Sequence, residues 1–495
     1  MKAEPSQPLL SAPDTEEASL IDLLSRAAVV ENMIACQYLF AGFSLKKYPG
    51  EFDAKLGEQA IAAQLERNRR WGAKMLFTAR QEMEHLCMVQ NMLAILNRPS
   101  WMWRPNFPLP AAASLLKIPN HLMPFSLHAL EVFRYYEKPD SLNLPSPFAL
   151  DALSARIPRL ASIMNGLRAA FDGIVPEYSE EVHSVQSAYE EIQRLFDHLF
   201  DTRKITARNP NRIVNEHFGF NISLEALVQG EGKTYIDDIV KQILEEGEGA
   251  QGAPPLGSHF MAFQSMIDEV TDLESHHPEL NPVLPVVVNP SVLPPIFHLG
   301  QTTPITNKFT VAVVQLLNDI CQLQSRMLTG FFDRYNIDQT TGIHPPVVNA
   351  YFQTAFYPMM TMLVRPLGEI VCRLPADADY KPQKGKLPER TAGPTFEFAT
   401  PQGAGNETAK RAAVAEFSSG EEYVAKLREL GKVCANLAAN VPAGYEPLGG
   451  RSYADNFTYL SQNLERMAVN FGDYWSGKMV TVVPSTNFQN LDNMN

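Results

Sequence analysis

Along most of this chain apolar residues recur at intervals of three and four, and strand-like alternation is scarce, so the pattern predicts an all-α protein. Leu20, Leu24, Ala27, Ile34 and Tyr38 form one stripe, on a first helix expected from Asp14 to about Lys47. Asp14 and Glu17 have capping-box spacing at its start, and Tyr48-Pro49-Gly50 stops it. A second long helix is expected over about residues 56–96, with Gly72 as a place for a kink and Asn97-Arg98-Pro99 at its end. Residues 98–125, which include RPSWMWRPNFPLP, read as an extended, ordered crossover. A third helix is expected at about 178–201, carrying Val182, Val185, Tyr189, Ile192, Phe196 and Leu199, and a fourth at about 233–246. The fourth runs into Glu245-Glu246-Gly247-Glu248-Gly249, and the chain resumes at Ser258-His259-Phe260.

Beyond a Pro-rich stretch at 276–306 the helical pattern returns, at 308–335, 347–374, 419–440 and 453–475, with a Gly/Pro/Thr-rich loop at 376–416. A length of 495 residues exceeds what one core usually serves. The expected organisation is a leader at 1–14, a helical domain at 15–275, a linker at 276–306 and a second, C-terminal helical domain at 307–495.

Charge narrows the partners. The formal net charge of −13 argues against nucleic acid and against anionic membrane surfaces, both of which need a basic face. The five cysteines are widely spaced and include no C-x-x-C pair, so neither a disulfide framework nor a zinc knuckle is expected. The leader lacks the apolar run of a secretory signal, and no apolar run is long enough to span a bilayer. The expected location is the cytoplasm, with a small-molecule substrate as partner and a homodimer compatible with the composition.

Two residues break the apolar pattern in a way that suggests a metal. Glu82 and His85 stand three apart on the second helix, so they share a face. Their stripe is otherwise Met75, Thr78, Val89, Met92 and Leu96. Glu84 is expected to point away into solvent. Glu31 lies on the first helix's stripe, and a carboxylate there is costly unless it is paired or bound to a cation. Glu248, in Gly-Glu-Gly, and His259, in Ser-His-Phe, flank a Gly/Pro-rich break and are further candidates, although Glu231 lies in a second Gly-Glu-Gly. For the third helix Glu181, Glu190 and Glu191 remain open, with Glu191 and Glu181 nearer the stripe. Oxygen and imidazole donors without a thiolate pair suit iron or manganese better than structural zinc. His183 and His198 read as surface residues and His276-His277 as linker.

At these residues the chain resembles the ferritin-like family that includes the iminophenyl-pyruvate dimer synthase (VioB-like) domain. The resembling segments are VVENMIACQYLFAGFSLK, FTARQEMEHLCMVQNMLAILNRPSW, SAYEEI, ILEEGEG and SHFMAF, in the family's order across about residues 20–263. FYPMMTMLVRPLGEIVCRLP and AGPTFEF resemble the region that accompanies the domain. The resemblance implies a ferritin-like four-helix bundle and supports Glu31, Glu82, His85, Glu248 and His259 as metal ligands. It departs at the third helix. It also implies iron, two ions with manganese as an alternative, and dioxygen as co-substrate.

Three functions follow as expectations. The first is a non-haem di-iron oxidase or oxygenase acting on an amino-acid-derived intermediate of natural-product biosynthesis, with aromatics at 101–107 lining its pocket or simply packing on the bundle. The second is a coupling enzyme that joins two aryl-pyruvate imines. The third is a non-enzymatic iron-binding protein, which the long C-terminal helical region disfavours.

Overall fold

The structure is a computed structural model that describes residues 15–142, 144, 146–147, 184–202, 204–205, 210–214, 222–247, 257–336, 344–400 and 407–479. Helices dominate; the one sheet among the described residues pairs Pro290–Ser291 with Thr303–Pro304 in parallel. The all-α expectation therefore holds.

Two long helices set the frame of the N-terminal half, α1 (Thr15–Phe43) and α2 (Glu58–Ile95). They run antiparallel, since Gly42 lies against Met75 at one end while Glu31 meets His85 further along. The α2 helix is continuous through Gly72. Four shorter helices close the bundle: α3 (Leu127–Tyr136), α4 (Val185–Asp201), α5 (Gly232–Gly247) and α6 (His259–His276). The α4 helix packs on α1 and α5, α3 packs on α6, and α2 touches α5 and α6.

Each short helix has a local reason to form. Ser126, Ser184 and Ser258 cap α3, α4 and α6, each accepting a backbone N–H from the first turn. Val185, Ala188, Tyr189, Ile192, Phe196 and Leu199 give α4 one buried face. Tyr38, Phe133 and Phe263 interlock where α1, α3 and α6 meet, with centroids 4.8–5.5 Å apart in tilted and edge-on contacts.

The C-terminal half holds α7 (Lys308–Arg334), α8 (Pro346–Ala355), α9 (Arg365–Val371), α10 (Glu407–Val414), α11 (Gly420–Ala439) and α12 (Tyr453–Trp475). The α11 and α12 helices pair, α12 packs on α8, and α8 on α7. The α9 helix reaches α1 because Gly368 has no side chain; a Cβ there would stand 2.4 Å from the Phe43 ring. Buried apolar residues from both halves form one contiguous cluster.

The Pro-rich segment at 276–306 is a seam between the halves rather than a loose tether. Its backbone bonds Ser44 at Leu284, Leu122 at Asn289 and Thr391 at Val287, with N–O distances of 2.9–3.0 Å. A buried contact, His298 Nε2 to Glu397 Oε1 at 3.0 Å, ties it to the 376–416 loop. That loop also contains α10, which periodicity alone does not reveal. In the crossover, Trp101 and Trp103 carry Arg411 and Lys410 of α10 over their rings, so these two aromatics pack against the C-terminal half.

Candidate metal centre

Six side chains from five helices or helix ends converge inside the bundle. Glu31 comes from the middle of α1, and Glu82 and His85 from successive turns of α2. Glu137 is the residue on which α3 ends, Glu246 lies in the last turn of α5, and His259 opens α6. Glu31, Glu82, His85, Glu137 and His259 are essentially sealed from solvent. The Glu246 side chain keeps 18 % exposure, which makes it the wettest of the six.

Glu82 is the hub. Its Oε2 lies 3.1 Å from His85 Nδ1, and its Oε1 lies 2.9 Å from His259 Nδ1. Glu31 Oε2 adds a third donor 3.7 Å from His85 Nδ1, and Glu137 Oε2 a third donor 3.6 Å from His259 Nδ1. Two triads result, Glu31–Glu82–His85 and Glu82–Glu137–His259, and within each the ligand atoms lie within 4.8 Å of one another. Glu82 belongs to both.

The outer nitrogens of both rings are committed elsewhere. His85 Nε2 is 3.3 Å from Glu246 Oε2, and His259 Nε2 is 3.2 Å from Gln81 Oε1. Carboxylate and amide oxygens only accept, so both Nε2 atoms carry the proton and donate. In the neutral ring each Nδ1 is then a bare lone pair 2.9–3.1 Å from a carboxylate oxygen of Glu82. That arrangement is repulsive unless a proton or a metal ion sits between.

At His259 the contact is an ion pair rather than an aligned hydrogen bond: Glu82 Oε1 and His259 Nδ1 are both buried and 2.9 Å apart, and neither is in hydrogen-bond geometry. Two ligands about 2.1 Å from one ion and at right angles to each other stand about 3 Å apart, so this spacing fits a shared cation. Helix dipoles point the same way. His259 at an N-terminus disfavours a ring cation, and Glu137 at a C-terminus is a misplaced anion that calls for a positive neighbour.

Electrostatics without an ion show the competition. Burial pulls the His259 ring down, but Glu82 and Glu137 outweigh it and carry the pKa up to about 10. His85 is likewise held well above its ordinary value, against burial, by Glu246, Glu31 and Glu82. Burial raises Glu31 to about 7, opposed by His85 and helped by the charge of Glu82. The metal-free pocket therefore stores protons that a cation would displace. Two divalent cations would balance the charge of Glu31, Glu82, Glu137 and Glu246.

Two tyrosines hold the outer carboxylates. Tyr189 Oη of α4 donates to Glu31 Oε1, and Tyr38 Oη of α1 donates to Glu137 Oε1 at 2.5 Å. These outer partners fix carboxylates in the way that supports a metal site.

The structure brings Glu31, Glu82, His85 and His259 together. Glu248 and Glu181 lie outside the described residues, as does His183. Glu190 and Glu191 do not join the cluster. Both are exposed on the outer face of α4, Glu190 accepting from Gln186 and Glu191 from Arg194. The inward position on that helix belongs to Tyr189. Glu84, expected in solvent, is buried and paired with Arg80 at 2.6 Å. Glu137, Glu246, Gln81 and Tyr38 join the site without any sequence spacing that sets them apart. For Glu137 and Glu246 the available signal is a carboxylate at a helix C-terminus, against the dipole.

A ferritin-like family model matches residues 24–268, which spans every member of the cluster. That segment is a ferritin-like domain, and its carboxylate–histidine cluster is of the kind such bundles use for paired metal ions. Comparison with curated proteins and with solved structures gave no match for the chain. No helix among the described residues is long and apolar enough to cross a membrane.

Proposed function

We propose that this protein is a non-haem di-iron, or mixed iron–manganese, oxidase or oxygenase that acts on an amino-acid-derived intermediate in natural-product biosynthesis. The observation that carries the metal half of this reading is the pair of inward Nδ1 atoms facing the two oxygens of Glu82. Glu31, Glu82 and His85 would hold one ion, and Glu82, Glu137 and His259 the other. Bound there, reduced iron supplies the ability to activate dioxygen.

The chain's own residues do the rest. Tyr38 and Tyr189 orient the terminal carboxylates, and the aromatic wall of Tyr38, Phe133 and Phe263 keeps water from the Glu137 side. Exchange with solvent is easiest beside Glu246. The substrate class rests on the resemblance of the sequence segments to the iminophenyl-pyruvate dimer synthase domain.

The test is anaerobic iron loading followed by oxygen-uptake measurements with aryl-pyruvate imines and related amino-acid-derived acids. Two irons per chain and substrate-dependent uptake are expected, and His85→Ala should lose metal. Full iron retention in both Glu82→Ala and His85→Ala would reject the site. Iron binding without substrate-dependent oxygen uptake would favour plain iron binding.

A further inference from the structure

We propose that Glu246 is a positioning residue shared by both histidines, holding His85 directly and His259 through Gln81. The inference rests on the metal-centre reading above.

Glu246 gathers three donors. Gln242 Nε2 reaches Oε1 at 2.9 Å, while Gln81 Nε2 and His85 Nε2 both reach Oε2 at 3.3 Å. The carboxylate offers no proton, so the Gln81 amide has one permitted orientation, NH₂ toward Glu246 and oxygen away from it. The oxygen then faces His259 Nε2 at 3.2 Å and accepts its proton. Through this relay one carboxylate dictates which nitrogen of each ring is protonated. It turns both Nδ1 atoms toward Glu82. Gln81 is one turn before His85 on α2, so the same helix supplies a metal ligand and the link to the other half.

Neither residue needs to touch a metal for this. Positioning of this kind typically contributes about 10–100-fold in metal affinity. The two positions have separable consequences. Loss of Glu246 releases both rings, whereas loss of Gln81 releases His259 alone.

Cobalt(II), added to the metal-free full-length chain and followed by its visible absorption, reads both halves. Glu246→Leu removes the acceptor that orients Gln81 and His85, and should weaken both ions by about 10–100-fold. Gln81→Leu should weaken one ion of the two by a similar factor. The conservative Glu246→Gln keeps one amide oxygen that can accept from both Gln81 Nε2 and His85 Nε2 once the Gln242 amide turns over, and should hold both ions more tightly than Glu246→Leu. Melting temperatures of the metal-free proteins should stay near wild type. The proposal is overturned if Glu246→Leu binds two cobalt ions with wild-type affinity, or if Gln81→Leu leaves both ions unaffected. It is also overturned if the affinity loss in Glu246→Leu tracks a fall in metal-free melting temperature, or if Glu246→Gln loses as much affinity as Glu246→Leu. If the wild-type chain binds no cobalt, the metal-centre reading itself fails, which is a distinguishable result.

Discussion

Glu82→Gln is the most informative single change, because Glu82 is the one residue common to both triads. The substitution keeps shape and removes charge. A glutamine can direct its NH₂ at one Nδ1, 2.9 or 3.1 Å away in the native geometry, but its oxygen then faces the other ring, and a neutral amide cannot bridge two cations. The consequence is measurable as metal-induced stabilisation. At free metal a hundredfold above Kd, each site adds about 2.7 kcal/mol to folding stability, so two sites add about 5 kcal/mol. Spread over 495 residues at about 2.1 cal/mol/K each, that corresponds to a rise in Tm of roughly 5 °C. Wild type and variant are melted with and without iron(II) under anaerobic conditions, so any change in metal-free stability cancels, and bound metal is counted by elemental analysis. The variant should lose at least one ion and at least half of the thermal shift. Two ions and an undiminished shift in Glu82→Gln would refute a bridging role.

Two further outcomes follow from other parts of the molecule. Glu190→Ala and Glu191→Ala remove exposed carboxylates that already have partners on α4, so iron stoichiometry should stay at the wild-type value and stability should move by about 0.5 kcal/mol or less; loss of an ion in either variant would put α4 back in the site. Burial, with the neighbouring His128 charge, pulls His121 down to about 4. Its Nδ1 receives the Asn289 Nδ2 proton at 2.9 Å, an orientation set because Leu122 N–H occupies Asn289 Oδ1. Because the folded pKa lies below the unfolded one, this contribution is complete above about pH 6.5 and is lost as pH falls toward 4, at a cost of about 3 kcal/mol. Urea unfolding at pH 7 and pH 4.5 should show that loss in wild type and a smaller one in His121→Gln; equal losses would contradict it.

Much of the architecture can be read from periodicity. The long helices α1, α2, α7, α11 and α12 have sustained apolar stripes, and their observed bounds lie within a few residues of expectation except at the C-terminal end of α1, which stops at Phe43. Short elements are harder. The α3 helix has ten residues and follows a Pro-rich crossover, so its stripe never completes three turns, and Glu137 goes unseen with it. The α6 helix hides behind the Gly/Pro-rich break, although Ser258 is a sound N-cap. In the centre, Glu31, Glu82 and His85 stand out because charge on an apolar stripe is expensive. Glu190 and Glu191 mislead because the face of α4 turned toward Glu31 is set by tertiary packing, and Tyr189, itself a stripe residue, holds the inward place. Glu84 misleads for the opposite reason: Arg80, one turn away, lets a carboxylate stay buried. Gln81 and Glu246 gain meaning only from contacts across helices, which no spacing along the chain encodes.

The central claim is that two metal ions share Glu82. Anomalous diffraction from crystals of the iron- or manganese-loaded protein addresses it directly. Two peaks are predicted, one at ligand distance from Glu31, Glu82 Oε2 and His85 Nδ1, the other at ligand distance from Glu82 Oε1, Glu137 and His259 Nδ1. A loaded crystal with no peak between these side chains, or with metal on the outer Nε2 atoms instead, would contradict it.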